Sequence, residues 1–286
     1  MVHMILVTGA TGTIGSEVVR QLAARGEKVR ALTRDPAKAV VPPGVEVLRG
    51  DYRDPGSLEV AMAGVTAAFL VGVPAPGTWH DQALVAAARA SGVSRLVKLS
   101  AIGTGDPELG PSGSWHLDGE RAVRDSGARW TILRPSAFAS NTLSWADPIG
   151  AGEPVPNLTG DGLQGVVDPR DVSEVATRAL VDPGHEGRTY TLTGPETIGV
   201  PGQAAVLAEI LGRRVTARDL SAAEVRQYVL GWGLDGKAAD GVLAGTAYVR
   251  GGGNAVVTGD VPEVLGRTAR TYREWAEDHK GVFVAG

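Results

Sequence analysis

Three glycines at a fixed spacing are the first residues in this chain whose types suggest chemistry: Gly9, Gly12 and Gly15, in Thr8-Gly9-Ala10-Thr11-Gly12-Thr13-Ile14-Gly15. A turn without Cβ atoms lets the backbone approach phosphates, and free N–H groups at a helix start point at negative charge. The apolar run Met4-Ile5-Leu6-Val7 before the turn reads as a buried strand. Ile14, Val18, Val19 and Leu22 after it share one helical face. Strand, glycine turn and helix form the setting in which such a turn holds a dinucleotide pyrophosphate. Gly9, Thr11, Gly12, Thr13, Ile14 and Gly15 are the candidate contacts.

A second group stands at Thr33-Arg34-Asp35, after the apolar run 28–32. In a dinucleotide fold this place meets the adenosine ribose. An acidic residue there favours NAD, and an Arg favours the 2′-phosphate of NADP. Arg34 can fork onto a phosphate and Thr33 can hydrogen-bond one. NADP(H) is therefore the expected cofactor, with NAD(H) the alternative. Asp35 precedes Pro36 and reads as the cap of a helical turn. Val71-Gly72-Val73 is small where backbone must pass beside a ribose. Ser100-Ala101-Ile102 ends another strand, at the edge where the nicotinamide should lie.

The elements that must position these residues follow from periodicity. Strands are expected at 4–7, 28–32, 45–50, 66–71, 94–100 and 130–133, with helices at 14–24, 55–62, 79–91 and from 114. This alternation implies parallel βαβ units with right-handed crossovers. The expected fold is α/β, a doubly wound parallel Rossmann sheet with a smaller C-terminal substrate lobe. The dinucleotide-binding domain is 1–137, with 165–194 returning to the sheet. The lobe is 138–164 and 195–286. The Gly- and Pro-rich stretch 103–113 reads as a mobile lid. In the lobe, helices are expected at 204–211, from the capping box Ser221-Ala222-Ala223-Glu224, and at 267–279. Gly251-Gly252-Gly253 reads as a flexible linker or loop.

Bulk properties exclude several classes. A net charge of −4 leaves no basic field for nucleic acid. No apolar run approaches the roughly 18 residues that span a bilayer. The first strand begins at once, so no signal peptide is expected. With no Cys there is neither a disulfide nor a Cys metal site, and no metal is expected. The expected place is the cytoplasm, and the expected partner a small aromatic substrate. A protein partner or a homo-oligomer is left open.

The GxxGxxG spacing resembles the short-chain dehydrogenase/reductase superfamily. Reductases of that superfamily carry a Tyr and a Lys four residues apart on the helix after the fifth strand. Here that helix reads Ser114-Trp115-His116-Leu117-Asp118-Gly119-Glu120-Arg121. The matching positions are His116 and Glu120, and Glu120 cannot supply a cationic field. The Trp-His…Glu pattern, Trp130-Thr131-Ile132-Leu133-Arg134-Pro135, the spacing of Phe138 and Asn141, and Val167-Asp168-Pro169-Arg170-Asp171-Val172 resemble the NmrA-like branch of atypical members. The resemblance covers most of the chain. It implies that Asp51 and its neighbour Tyr52 lie by the adenine, with loop capping the other role open to Asp51. It places Pro135, Ser136 and Phe138 along the nicotinamide. It puts Ile102, Trp115, His116, Asn141 and Trp145 around the substrate.

That branch contains NADP-dependent quinone reductases and regulators that bind dinucleotide without turnover. Quinone reduction gives a delocalised phenolate, which needs less help from a general acid than an alkoxide does. The missing Tyr/Lys pair is thus tolerable for quinones and costly for simple ketones. An imidazole near its unperturbed value of about 6.5 is available as a proton donor, which makes His116 the catalytic candidate. Glu120 reads as a charge on the helix face. The expected function is hydride transfer from NADPH to a quinone or conjugated aromatic carbonyl. An anthraquinone-type polyketide in a tailoring step that primes hydroxylation is the extension. A non-catalytic redox sensor is the alternative, and an epimerase or dehydratase is disfavoured by the same missing pair. Tyr228, Trp232, Tyr248 and Trp145 are candidates for lining a flat pocket or filling the lobe's core.

Overall fold

The computed structural model describes residues 3–72 and 79–284. The chain forms two compact units. The first holds residues up to 104, then 115–134 and 170–191; the second holds 105–114, 135–169 and 192 onward. The chain passes from one to the other after residues 104, 114, 134, 169 and 191, five times in all.

The first unit starts with β1 (Met4–Val7), whose Ile5, Leu6 and Val7 are fully buried. The helix α1 (Thr13–Ala24) buries Ile14, Gly15, Val18, Val19 and Leu22, the face expected from the sequence. It stops at Arg25, and Gly26 takes the left-handed conformation, φ +78°. Then come β2 (Lys28–Thr33), β3 (Glu46–Arg49), α2 (Pro55–Met62), β4 (Val65–Val71), α3 (Trp79–Ala90) and β5 (Arg95–Leu99). Asp54 caps α2 by accepting from the Ser57 N–H. After β5 the chain makes a short helix in the second unit, α4 (Pro111–Ser114), and returns as α5 (Leu117–Arg124) and β6 (Arg129–Pro135).

Seven strands form one sheet in the order β3-β2-β1-β4-β5-β6-β8. The pairs β1–β2, β1–β4, β2–β3, β4–β5 and β5–β6 are parallel. The order reverses at β1, so the switch point of the sheet lies between β1 and β4, where ligands sit in doubly wound folds. Leu6, Leu32, Leu58, Leu70, Leu84 and Leu96 belong to one core on this sheet. Val73, expected along the cofactor, lies outside the described residues.

The second unit contains α6 (Ala146–Gly150) and β7 (Val155–Asn157). The chain then gives α7 (Pro169–Val181) and β8 (Arg188–Leu192), which complete the sheet. The second unit resumes with α8 (Val200–Leu211), β9 (Ala217–Asp219), α9 (Ala222–Leu230), α10 (Gly236–Arg250), α11 (Asp260–Leu265) and α12 (Tyr272–Val284). Its core gathers Trp145, Ile149, Val155, Leu207, Tyr272, Trp275 and Phe283. The capping box at Ser221 and Glu224 is present in full.

Several expectations change. Residues 165–167, expected at the return to the sheet, form no strand; isolated bridges join Phe138 with Val167 and Gln164 with Ile198. The final helix starts at Tyr272, five residues later than expected. The stretch 103–113 is not a free lid. Its Asp106 accepts from the Tyr248 hydroxyl at 3.0 Å, and Gly110 lies against Ala244, both on α10. The Gly251–Gly253 run is no linker either, because a Cβ on Gly253 would lie 2.4 Å from the Tyr248 ring. Among the described residues no helix is long and apolar enough to cross a membrane.

Candidate functional site

The glycine turn has the form of a cradle. Gly9 adopts φ +60°, a conformation that disfavours side chains. A Cβ on Gly15 would lie 2.2 Å from the Gly9 carbonyl oxygen, so helix and turn touch through bare backbone. Gly12 is the N-cap of α1 and offers no side chain to its N–H groups, and no acidic residue stands in the first turn. Thr11, Gly12 and Thr13 are exposed, and Ile14 is buried. The free N–H groups and the positive end of the helix can therefore take a pyrophosphate. Thr8, fully buried, ties the end of β1 to β4 by donating to Phe69 O and accepting from Val71 N.

At the end of β2, Arg34 is exposed and makes no hydrogen bond or ion pair among the described residues. It is a cation available to a 2′-phosphate. Thr33 Oγ1 accepts from Asp35 N at 3.2 Å. Asp35 stands at the cap position of the turn 36–38, yet its side chain makes no capping bond; it faces Lys38 at 3.4 Å. Asp51 is engaged by Arg53, which donates from its N–H, Nε and Nη2. These bonds, the side-chain ones first, hold the carboxyl well below its ordinary range. Asp51 thus shows the loop-capping role. Tyr52 donates its hydroxyl to Val71 O at 2.9 Å and so buttresses the end of β4. Gly72 has no room for a side chain, because a Cβ there would lie 2.2 Å from Asp81 Oδ1.

At the carboxyl end of β5, Ser100 is buried and donates to Glu120 Oε1 at 2.6 Å. Ala101 and Ile102 are half-buried. Glu120 is the centre of a network. Arg134 grips it through Nε at 2.8 Å and Nη2 at 2.7 Å, and Arg124 adds a bond at 2.9 Å. Glu120 is 0% exposed, so it is not the surface charge expected on the helix face. Burial works to raise its carboxyl, but the hydrogen bonds from Arg134 and Ser100 outweigh it and hold the group below its usual value. Arg134 was a signal in the sequence: an arginine at the end of an apolar strand needs a partner.

His116 precedes α5 and is 9% exposed. Its Nδ1 is buried without a partner among the described residues. Burial first, and then the charge of Lys98, push its imidazole down to about 4. At neutral pH the ring is uncharged, so the imidazolium donor expected from the unperturbed value is not there. Lys98 and Asp81 form a buried pair at 2.5 Å, with side chains 0% and 2% exposed. A Cβ on Gly119 would lie 2.0 Å from Asp81 Oδ2, so α5 passes directly over this pair. The sequence reading did not single out Lys98 or Asp81, although a lysine inside Leu96-Val97-Lys98-Leu99 was the signal.

The remaining candidates belong to the second unit, apart from Trp115, which is half-buried in the first. Pro135 and Ser136 are buried, and Phe138 is half-buried beside Val167. Asn141 is exposed on a 3-10 turn over Ala139–Trp145. Trp145 is packed in the core of its unit and is not a pocket wall. The aromatic residues do not gather: Tyr228 meets Trp232 edge-on at 5.6 Å, whereas Tyr248 is bound to Asp106.

Comparison with known proteins accords with this geometry. The family described as NAD(P)H-binding matches residues 9–183. A (4-alkanoyl-5-oxo-2,5-dihydrofuran-3-yl)methyl phosphate reductase of Streptomyces griseus subsp. griseus is 42% identical, over 98% of this chain and 99% of its own. An NAD(P)H azoreductase of Xenophilus azovorans is 36% identical, over 99% and 100%. The solved structure of an NADPH-dependent quinone oxidoreductase from Escherichia coli, in complex with NADPH, superposes with a TM-score of 0.84. It is 27% identical and covers 97% of this chain and 100% of its own. This chain belongs to the NAD(P)H-binding family and is one of its NmrA-like, NAD(P)H-dependent reductases.

Proposed function

We propose that the protein reduces a conjugated, electron-poor carbonyl compound with NADPH, and that the product of hydride addition is an anion which delocalises its own charge. The observation that carries this reading is the absence of an acid at the place of the Tyr/Lys pair. His116 is neutral there, and Glu120 is an ionised carboxylate locked to Arg134 and Ser100. Such a site suits acceptors whose charge spreads over a ring or a dicarbonyl, and serves a simple ketone badly.

The residues divide the work. The backbone of Gly9, Gly12 and Gly15 holds the pyrophosphate, and Arg34 pairs with the 2′-phosphate. The bound dihydronicotinamide supplies the hydride. Ser100, with its proton given to Glu120, offers lone pairs beside Ala101 and Ile102. His116 serves as a neutral polar contact for the acceptor.

Quinones and acyl-butenolides share the required chemistry, a C=C bond conjugated to carbonyl groups. The 42% identical relative, named for a furanone phosphate, supports the acyl-butenolide. The quinone oxidoreductase likeness supports a quinone, of which an anthraquinone-type polyketide is the larger form. The test is NADPH absorbance against time with an acyl-butenolide phosphate, naphthoquinone, anthraquinone and a simple ketone, repeated with NADH. Oxidation by the conjugated compounds alone, faster with NADPH, is expected. Equal turnover of the ketone, or tight NADPH binding with no oxidation at all, overturns the reading; the second outcome is that of a sensor.

A further inference from the structure

We propose that Arg49, at the end of the edge strand β3, is a second arginine of the cofactor's 2′-phosphate site, so that the phosphate is gripped from two neighbouring strand ends, by Arg34 after β2 and by Arg49 on β3. The proposal rests on the reading above only in taking NADPH as the cofactor, and every residue it uses belongs to the first unit. A phosphate monoester carries a charge of about −1.5 to −2 at neutral pH and has three free oxygens. One guanidinium forks onto two of those oxygens and supplies a single positive charge. The third oxygen and the remaining charge call for another cation.

The pairing of β2 with β3 places that cation. The two strands are parallel and in register, Arg30 beside Glu46, Ala31 beside Val47, Leu32 beside Leu48 and Thr33 beside Arg49. Paired positions on adjacent strands lie about 4.8 Å apart and turn their side chains to the same face. Leu32 and Leu48 turn to the core that includes Leu58 of α2. Thr33 and Arg49 therefore turn to the opposite face. That face is the one covered by α1: the helix lies against β1 and β2, and none of its buried residues belongs to the core of Leu32 and Leu58. Arg49 thus stands at the carboxyl end of the sheet, on the side where the glycine turn enters α1. Gly50 fixes this strand end. Its N–H donates to Thr33 O at 2.9 Å, and a Cβ there would lie 2.4 Å from Leu32 Cδ1.

The charges of this corner leave two arginines over. Asp35 faces Lys38 at 3.4 Å, Asp51 accepts three bonds from Arg53, and Asp54 caps α2. Glu46 pairs with Arg30 at 2.9 Å, on the face of Leu32 and Leu48. Arg34 and Arg49 are both exposed, and neither makes a hydrogen bond or ion pair among the described residues. Two like charges on neighbouring strand ends disfavour each other, and a bound dianion removes that cost. Charged residues on edge strands also deter pairing with another sheet. That duty alone would keep Arg49 exposed and give it no part in cofactor affinity, so the two roles separate by measurement.

Titration of NADPH and NADH fluorescence, with no acceptor present, tells them apart. Arg49→Gln keeps much of the side chain's length and removes its charge. Its Kd for NADPH should rise about 3- to 10-fold, and its Kd for NADH should stay near that of the wild type. Arg49→Glu should lose more. Combining Arg34→Gln with Arg49→Gln should leave the two cofactors bound with nearly equal affinity. Raising NaCl from about 0.05 to about 0.5 M should weaken NADPH binding more in the wild type than in Arg49→Gln. Calorimetry with adenosine 2′,5′-bisphosphate against 5′-AMP should repeat the pattern, and the Tm without ligand should hold.

An unchanged Kd for NADPH in Arg49→Gln would overturn the proposal and leave Arg49 as an edge-strand charge. Equal losses for NADPH and NADH would overturn it too, as the mark of a prop for the fold. Selective loss in Arg34→Gln but not in Arg49→Gln would sink the second arginine and leave the reductase reading standing. Failure of the wild type to reduce any acceptor would instead sink the reductase reading, and these affinities would still decide the role of Arg49.

Discussion

His116 has an imidazole value near 6.5 in the unfolded chain and about 4 in the folded one. Between those values the unfolded chain binds a proton that the folded protein refuses. Stability therefore falls as pH drops from about 6.5 to about 4, and this contribution levels off below. At full extent the difference is worth roughly 3 kcal/mol. His116→Gln should flatten the Tm profile across that window and leave it nearly unchanged at pH 8. An equally steep profile in the variant would show that other groups set it. At the same scale, Arg34→Ala removes the cation at the end of β2. The Kd for NADPH should rise about tenfold, since the site is exposed, and the Kd for NADH should hardly move. Fluorescence titration of both cofactors measures this directly.

Among the elements, β5 carries the most unusual side chain, Lys98, which is wholly buried against Asp81 of α3. Removing one partner strands the other charge. Lys98→Met should cost about 3–5 kcal/mol, and adding Asp81→Asn should recover most of it. Urea unfolding of the two variants checks both statements. Strands β1 to β6 were legible because they read as apolar runs between turn residues, and α1 because its face repeats at helical spacing. Helix α10 was not legible. Its sequence Gly236-Lys237-Ala238-Ala239-Asp240-Gly241 is poor in large apolar residues and rich in glycine. Its one clear signal was Asp235, whose side chain caps Ala238 N. Likewise the glycine cradle was readable from spacing, because backbone geometry is local. The buried state of Glu120 was not readable. It depends on Arg134, fourteen residues away in sequence and on another element.

For the whole molecule, the cofactor is expected to act as a stabiliser of the folded state. NADPH at a hundred times its Kd should add about 2.7 kcal/mol, seen as a rise in Tm that grows with ligand concentration. Gly15→Ala should lose that response, because its Cβ would lie 2.2 Å from the Gly9 carbonyl oxygen and push the cradle open. A full response in this variant would show that the cradle tolerates a methyl group.

The five passages of the chain between its two units carry a consequence for how such a protein can change. The second unit is written in three separate stretches of the gene. A new recognition surface cannot be imported by one crossover, as a cassette could be. On the proposal that the second unit recognises the substrate, descendants of this chain alter their substrates by point substitutions scattered over 105–114, 135–169 and the stretch after 191. Libraries meant to redirect the enzyme should therefore randomise all three stretches together.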